Sequence, residues 1–212
     1  GSQVTKLIAR RIRDLGVYSE IITPPEISSF RDFKTVKGVI LSGGPSTVTK
    51  KKFQTIPKSI FSLNIPILGI CYGLQLIAKL FGGKIKSSKK KREFGRANIF
   101  KKKQSALTKN FFRKKNIVWM SHEDAVIKLP KNFKAIAYTK DSKLTIIENK
   151  KKKIFGVQFH PEVTHSENGE QIFKNFLFSI CKIKKKWNVI SQKKLLIEEV
   201  KKIVKKDKVI CA

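Results

Sequence analysis

Residues 65–83, IPILGICYGLQLIAKLFGG, decide the fold. Ile65 to Ile70 is an apolar run of buried-strand length, and Tyr72 to Phe81 repeats apolar residues at helical spacing until Gly82-Gly83 stops it. A strand that turns straight into a helix, with Gly69 and Gly73 two residues either side of Cys71, has the pattern of a nucleophile elbow in which Cys replaces Ser. The glycines remove side chains where strand and helix approach most closely. The turn sets the Cys71 sulfur at a helix N-terminus, where backbone N–H groups and the helix dipole favour an anion. A lone cysteine is ordinarily a buried structural residue. The flanking glycines and the strand-to-helix switch mark this one as a nucleophile.

Upstream, Val4, Leu7, Ile8, Ile12 and Leu15 recur at helical spacing from Gln3 to Leu15, with Gly16 as the stop. Val17 to Ile22 reads as a strand closed by Pro24-Pro25, and Gly38 to Leu41 as a strand feeding the tight loop Ser42-Gly43-Gly44-Pro45. Strand and helix alternating in this order predict an α/β fold with a mainly parallel open sheet flanked by helices. Further on, Phe94 to Phe100, Ile117 to Met120, Ala135 to Tyr138, Thr145 to Glu148 and Phe155 to Phe159 are short strand-like runs between polar turns. They predict hairpins and a smaller antiparallel sheet. A helix returns from about Glu167 to Ile183, with Ile172, Phe173, Phe176, Leu177 and Ile180 on one face. Residues 1–186 are expected to form one domain. Residues 187–212 read as a linker around Trp187, a Lys- and Glu-rich helix over Gln192 to Val204, and a strand opening at Lys208, the start of a second, truncated domain.

A chain of 212 residues, 41% hydrophobic, suffices for one packed core. It offers no run of about 18 apolar residues of the kind that spans a membrane. The opening GSQVTKLIAR has no apolar signal core. Cys71, Cys181 and Cys211 make no even, closely spaced framework, which points to free thiols and a reducing cytoplasm. The net charge of +32 raises a nucleic-acid partner as a possibility. Of the 47 basic residues, however, 40 are Lys and 7 are Arg, whereas bidentate recognition of phosphates and bases favours Arg. Runs such as Lys50-Lys51-Lys52, Lys101-Lys102-Lys103 and Lys150 to Lys153 fall between apolar segments without interleaved aromatics. They read as solvated surface.

A nucleophilic cysteine needs a base, and the chain holds three histidines: His122, His160 and His165. His160 closes an apolar strand in Gly156-Val157-Gln158-Phe159-His160-Pro161-Glu162. In extended backbone, residues two apart point the same way, so Glu162 reaches His160 and fixes its tautomer. Nucleophile, base and orienter are then all present. A metal is the rival use of Cys, His and Glu, but no C-x-x-C or H-x-x-x-H pair is present, and no metal site is expected.

Three separated motifs now stand in order: Ser42-Gly43-Gly44-Pro45, GICYGLQ over Gly69 to Gln75, and QFHPE over Gln158 to Glu162. Together they resemble the class I, triad-type glutamine amidotransferases, whose fold is flavodoxin-like. Within that class the chain is similar to the amidotransferase domains of the GMP synthase family, through residues 1–20, REFGRA at 92–97, WMSHED at 119–124 and GVQFHPEVTH at 156–165. The resemblance covers nearly the whole chain. It implies that Cys71 attacks the side-chain amide of glutamine, with His160 and Glu162 completing the triad. It places the oxyanion hole at the backbone N–H groups of Gly44 and Tyr72. It assigns substrate binding to Gly43, Gln75, Ser121, His122 and Asp124, with Asp124 either pairing with the substrate α-amino group or capping a turn. His165 is expected to be a local structural residue.

The resemblance further implies that ammonia passes to a covalently linked ATP-pyrophosphatase domain, which uses ATP and magnesium to aminate XMP to GMP in a homodimeric enzyme. That domain's glycine loop lies beyond this sequence; the Ser42-Gly43-Gly44 run continues into Pro45 and is not it. The family's domain also opens with a hydrophobic strand before the GSQ turn, where this chain begins. A missing central strand leaves neighbouring N–H and C=O groups unpaired, each costing about 1–3 kcal/mol if buried, so the fragment is expected to be less stable than the intact domain. Three rivals remain. An amidotransferase serving another synthase, such as the anthranilate or carbamoyl phosphate enzymes, fits WMSHED poorly. A stand-alone amidotransferase would not need residues 187–212. A basic nucleic-acid-binding module on the same fold would ignore Cys71→Ala.

Overall fold

Helix α1, Gln3–Asp14, turns Ile8, Ile12 and the following Leu15 inward at the predicted spacing. The computed structural model describes residues 3–27, 29–30, 33–87, 93–113, 116–185, 187, 197–198 and 200–205. A short helix α2, Pro24–Ile27, leads to strand β1, Val39–Leu41. After a single 3₁₀ turn at Lys58–Ser62 come strand β2, Ile67–Ile70, and helix α3, Tyr72–Leu80. The chain then runs through β3 (Lys84–Ser87), β4 (Glu93–Asn98), β5 (Phe100–Lys101), β6 (Ile117–His122), β7 (Asp124–Lys128), β8 (Lys134–Tyr138), β9 (Ile146–Asn149) and β10 (Ile154–Val157). Helix α4, Gly169–Lys174, continues into a wider π-type segment, Asn175–Ile180.

The main sheet has six strands in the order β1-β2-β10-β9-β8-β5. β1, β2 and β10 run parallel, and this half carries the strand-to-helix turn. β9, β8 and β5 add antiparallel. Of the predicted hairpin runs, those at β8 and β9 extend the main sheet, and Phe155 to Phe159 supplies its parallel strand β10. Those at β4 and β6 pair instead as one of two separate ribbons, the other being β3–β7. The fold is α/β with a parallel core flanked by helices, as expected.

Side chains alternate across this sheet. Leu68, Ile70, Phe155 and Val157 face a cluster with α1 and α4 that includes Ile8, Ile12, Phe173 and Phe176. Ile67, Ile147 and Ile154 face the opposite cluster with Leu74 and Ile77 of α3. Fully burying a side chain of this size contributes about 1.5–3 kcal/mol. β2 and β10 are thus clamped on both faces, and the loops at their C-terminal ends are held rigidly.

One predicted strand is corrected. Val17 to Ile22 form no regular structure. This segment and β1 both line a groove of about 1380 Å³. A strand exists through the hydrogen bonds it makes to a neighbour, and among the described residues this segment makes no ladder with a strand across the groove. Of the expected C-terminal helix, residues 197–198 and 200–204 are helical. Its start at Gln192, the strand from Lys208, Cys211, and Ser2 and Arg92 of two quoted motifs lie outside the described residues. Among the described residues no helix is long and apolar enough to cross a membrane.

Candidate active site

The turn between β2 and α3 is as tight as its glycines allow. A Cβ on Gly73 would sit 2.1 Å from the Leu41 carbonyl oxygen of β1, and one on Gly69 2.5 Å from the Gly73 backbone. Cys71 itself adopts φ 52° and ψ −105°, a conformation few side chains occupy without surrounding constraint. Its N–H is tied to the Val157 carbonyl at 2.8 Å, so the elbow is locked to the end of β10. The sulfur is buried and sits ahead of the first turn of α3.

His160 follows β10 and is fixed from several directions. Its N–H donates to the Trp119 carbonyl of β6 at 3.0 Å, and its own carbonyl accepts from Ser166 Oγ at 2.6 Å. Its Nδ1 lies 2.7 Å from Glu162 Oε1, and Glu162 is 1% exposed. The Arg11 side chain donates from Nε to the Glu162 carbonyl at 3.0 Å, anchoring the segment to α1. With Nδ1 facing Glu162, the His160 ring packs beside Cys71 around Gly43. Burial acts to lower the His160 pKa and is the largest single influence. It is outweighed by hydrogen bonds and charge from Cys71 and Glu162 together, which raise it from 6.5 to about 10.

The remaining predicted residues differ in how close they come to Cys71 and His160. Gly43 is packed over it: an added Cβ would meet the His160 ring at 3.0 Å and Cys71 Cβ at 3.5 Å. The loop is pinned by Ser42 Oγ, 2.8 Å from Thr5 Oγ1 on α1. Gly44 has open space where a side chain would be. Tyr72 anchors the start of α3 by donating its hydroxyl to the Gln54 carbonyl. Ser121 is exposed, and its carbonyl lies 3.6 Å from the Cys71 sulfur.

Gln75, Asp124 and His122 point inward. The Gln75 amide nitrogen donates to the Asp124 carbonyl at 2.7 Å, and the Asp124 carboxylate accepts from Thr47 Oγ1. His122 Nε2 lies 3.2 Å from Glu93 Oε2, off the line of a hydrogen bond, and Thr139 Oγ1 donates to the other Glu93 oxygen at 2.6 Å. His165 lies at the surface with its ring against Trp119. Sequence reading gave no role to Gln158, which is fully buried with its amide nitrogen 3.8 Å from the Cys71 sulfur. A signal for it was present: Gln158 precedes His160 by two residues, the same-side spacing that linked His160 to Glu162.

A strained cysteine at a helix start, a histidine beside it and a buried carboxylate behind the histidine are the parts that a cysteine-nucleophile site requires. The glutamine amidotransferase class-I family matches residues 1–180, and the chain belongs to it. Within the family it is similar to enzymes named GMP synthase [glutamine-hydrolyzing]. The protein from Borrelia garinii subsp. bavariensis is 46% identical over 99% of this chain and 39% of its own length. That from Campylobacter hominis is 47% identical over 100% of this chain and 41% of its own length. The chain therefore spans about two fifths of these relatives. Among solved structures, a proposed GMP synthase subunit from Thermoplasma acidophilum superposes with a TM-score of 0.72, at 29% identity, over 93% of this chain and 94% of that one.

Proposed function

We propose that this chain is the glutamine-hydrolysing part of a GMP synthase, with Cys71, His160 and Glu162 as its catalytic triad. The observation that carries the reading is the strained Cys71 elbow packed with His160 around Gly43, with His160 Nδ1 2.7 Å from Glu162 Oε1. Cys71 thiolate attacks the side-chain carbonyl carbon of glutamine, and the negative oxygen that forms is held by the backbone N–H groups of Gly44 and Tyr72. Each such donor contributes about 3 kcal/mol to the transition state. His160 gives its proton to the nitrogen as the carbon–nitrogen bond breaks, releasing ammonia and leaving a γ-glutamyl thioester. The imidazole then takes a proton from water, whose oxygen displaces the sulfur and frees glutamate. Glu162 holds the ring in the tautomer both steps need.

The relatives' length and name extend the proposal. The ammonia is used by a linked synthase portion, which aminates XMP with ATP and magnesium in a cytoplasmic, homodimeric enzyme. Gly43, Ser121, His122, Gln75 and Asp124 form the surroundings of the substrate, the last three acting from beneath it through buried contacts. A diazo-ketone glutamine analogue with adduct mapping by mass spectrometry tests the site. The expected result is one adduct on Cys71, suppressed by excess glutamine. Labelling spread over Cys71, Cys181 and Cys211 without glutamine protection would overturn it.

A further inference from the structure

The Cys71 sulfur lies 3.6 Å from the Ser121 carbonyl and 3.8 Å from the Gln158 amide nitrogen. The carbonyl accepts from a thiol S–H and has nothing to give a thiolate. The amide does the reverse, provided its donor end faces the sulfur. Which end faces it is decided by what holds the other end.

Gln75 holds that other end. Its Nε2 donates to the Asp124 carbonyl at 2.7 Å and lies 3.5 Å from Gln158 Oε1. A backbone carbonyl only accepts, so Asp124 fixes the nitrogen of Gln75 on its side. An amide nitrogen only donates, so Gln75 fixes the oxygen of Gln158 toward itself. The nitrogen of Gln158 is then left to face Cys71. Gln75 is 3% exposed and Gln158 is 0% exposed, so both amides are withdrawn from bulk solvent. In such surroundings a hydrogen bond to a charged partner is stronger than in solvent.

We propose that Gln158 is a further catalytic residue, its amide N–H stabilising the Cys71 thiolate, and that Gln75 is the positioning residue that keeps this donor turned forward. The proposal rests on Cys71 being the nucleophile of the reading above, and not on the identity of the substrate. The bond acts twice. It holds the charged sulfur before attack, and it strengthens again as the sulfur regains charge when water displaces it from the thioester.

The test is the pH dependence of Cys71 alkylation by iodoacetamide in the whole chain, read by peptide mass spectrometry, with folding checked by thermal melting. Gln158→Leu should move the midpoint up by about one pH unit, a roughly tenfold slower reaction below the midpoint. Gln158→Glu keeps the size but sets a carboxylate against the sulfur, and should move it further in the same direction. Gln75→Met leaves Gln158 in place and frees it to turn, which should give a smaller shift of the same sign. Should Gln158→Leu not fold, Gln75→Met decides alone. A folded variant of either kind with an unmoved midpoint overturns the proposal. Alkylation needs no glutamine, so a chain that releases no ammonia but shows the shift would remove the substrate reading and leave this one standing.

Discussion

His160 carries opposed influences, and their balance has a pH signature. Its pKa of about 10 in the folded chain lies above the ordinary 6.5, so between these values the folded protein keeps a proton the unfolded chain has lost. The stability this contributes is complete below about 6.5 and disappears as pH rises through about 10. Thermal melts of the wild type and His160→Asn should therefore differ most at the acid end of that window and converge toward its alkaline end. A gap that widened with rising pH would contradict the pairing. The cysteines separate at the same scale. Burial pushes the Cys181 thiol up to about 12, against a smaller lowering by Lys153. With reactivity following the thiolate, brief iodoacetamide treatment at about pH 8 should label Cys71 and leave Cys181 unmodified. Equal labelling of both in the folded chain would show that Cys181 is not shielded as its surroundings require.

At the scale of elements, the elbow depends on backbone touching backbone. A methyl at Gly73 collides with the Leu41 carbonyl at 2.1 Å, and that carbonyl belongs to a strand held by β2. Neither side can yield cheaply. Gly73→Ala should cost about 3 kcal/mol, the upper end of ordinary overpacking, whereas Gly44→Ala, with nothing within 4 Å, should stay within about 0.5 kcal/mol. Denaturant melts of both variants check this, and equal losses would contradict it. The same contrast explains what the sequence made legible. α1, β1, β2, α3 and β10 each announce themselves through a local pattern, and so do Cys71, His160 and Glu162. Val17 to Ile22 carries a strand's composition, yet a strand needs a neighbour, and local composition says nothing of the groove beside it. β3 and β7 escape a local reading for a related reason: Lys84–Ser87 and Asp124–Lys128 are short, with polar residues at both ends, and exist through their pairing with each other. The amide chain from Asp124 through Gln75 to Gln158 joins residues up to 83 positions apart, which no period in the sequence encodes.

The molecule as a whole is dominated by its charge. With 47 basic and 15 acidic side chains, at least 32 cations have no acidic residue to pair with one-to-one. Several acids are also withdrawn from the surface: Glu93, Asp124, Glu148 and Glu162 are buried, with Thr139, Thr47, Ser105 and His160 as partners. The exposed cations, such as Lys150, Lys151 and Lys152 at the β9–β10 turn, therefore repel one another across the fold. Unfolding spreads the charges apart, so repulsion favours the unfolded chain, and salt should weaken that bias once the screening length falls below about 10 Å. Raising sodium chloride from about 20 mM to about 500 mM should then lift the melting temperature by roughly 4 °C, as a gain of about 1 kcal/mol does in a domain of this size. Chloride is the right probe, because sulfate stabilises most folds by exclusion from their surfaces. Replacing Lys150, Lys151 and Lys152 with Glu should raise the low-salt melting temperature and flatten its salt dependence. If the wild-type melt ignored salt, the lysines would have to be spaced widely enough for solvent alone to screen them, and the charge would be energetically silent.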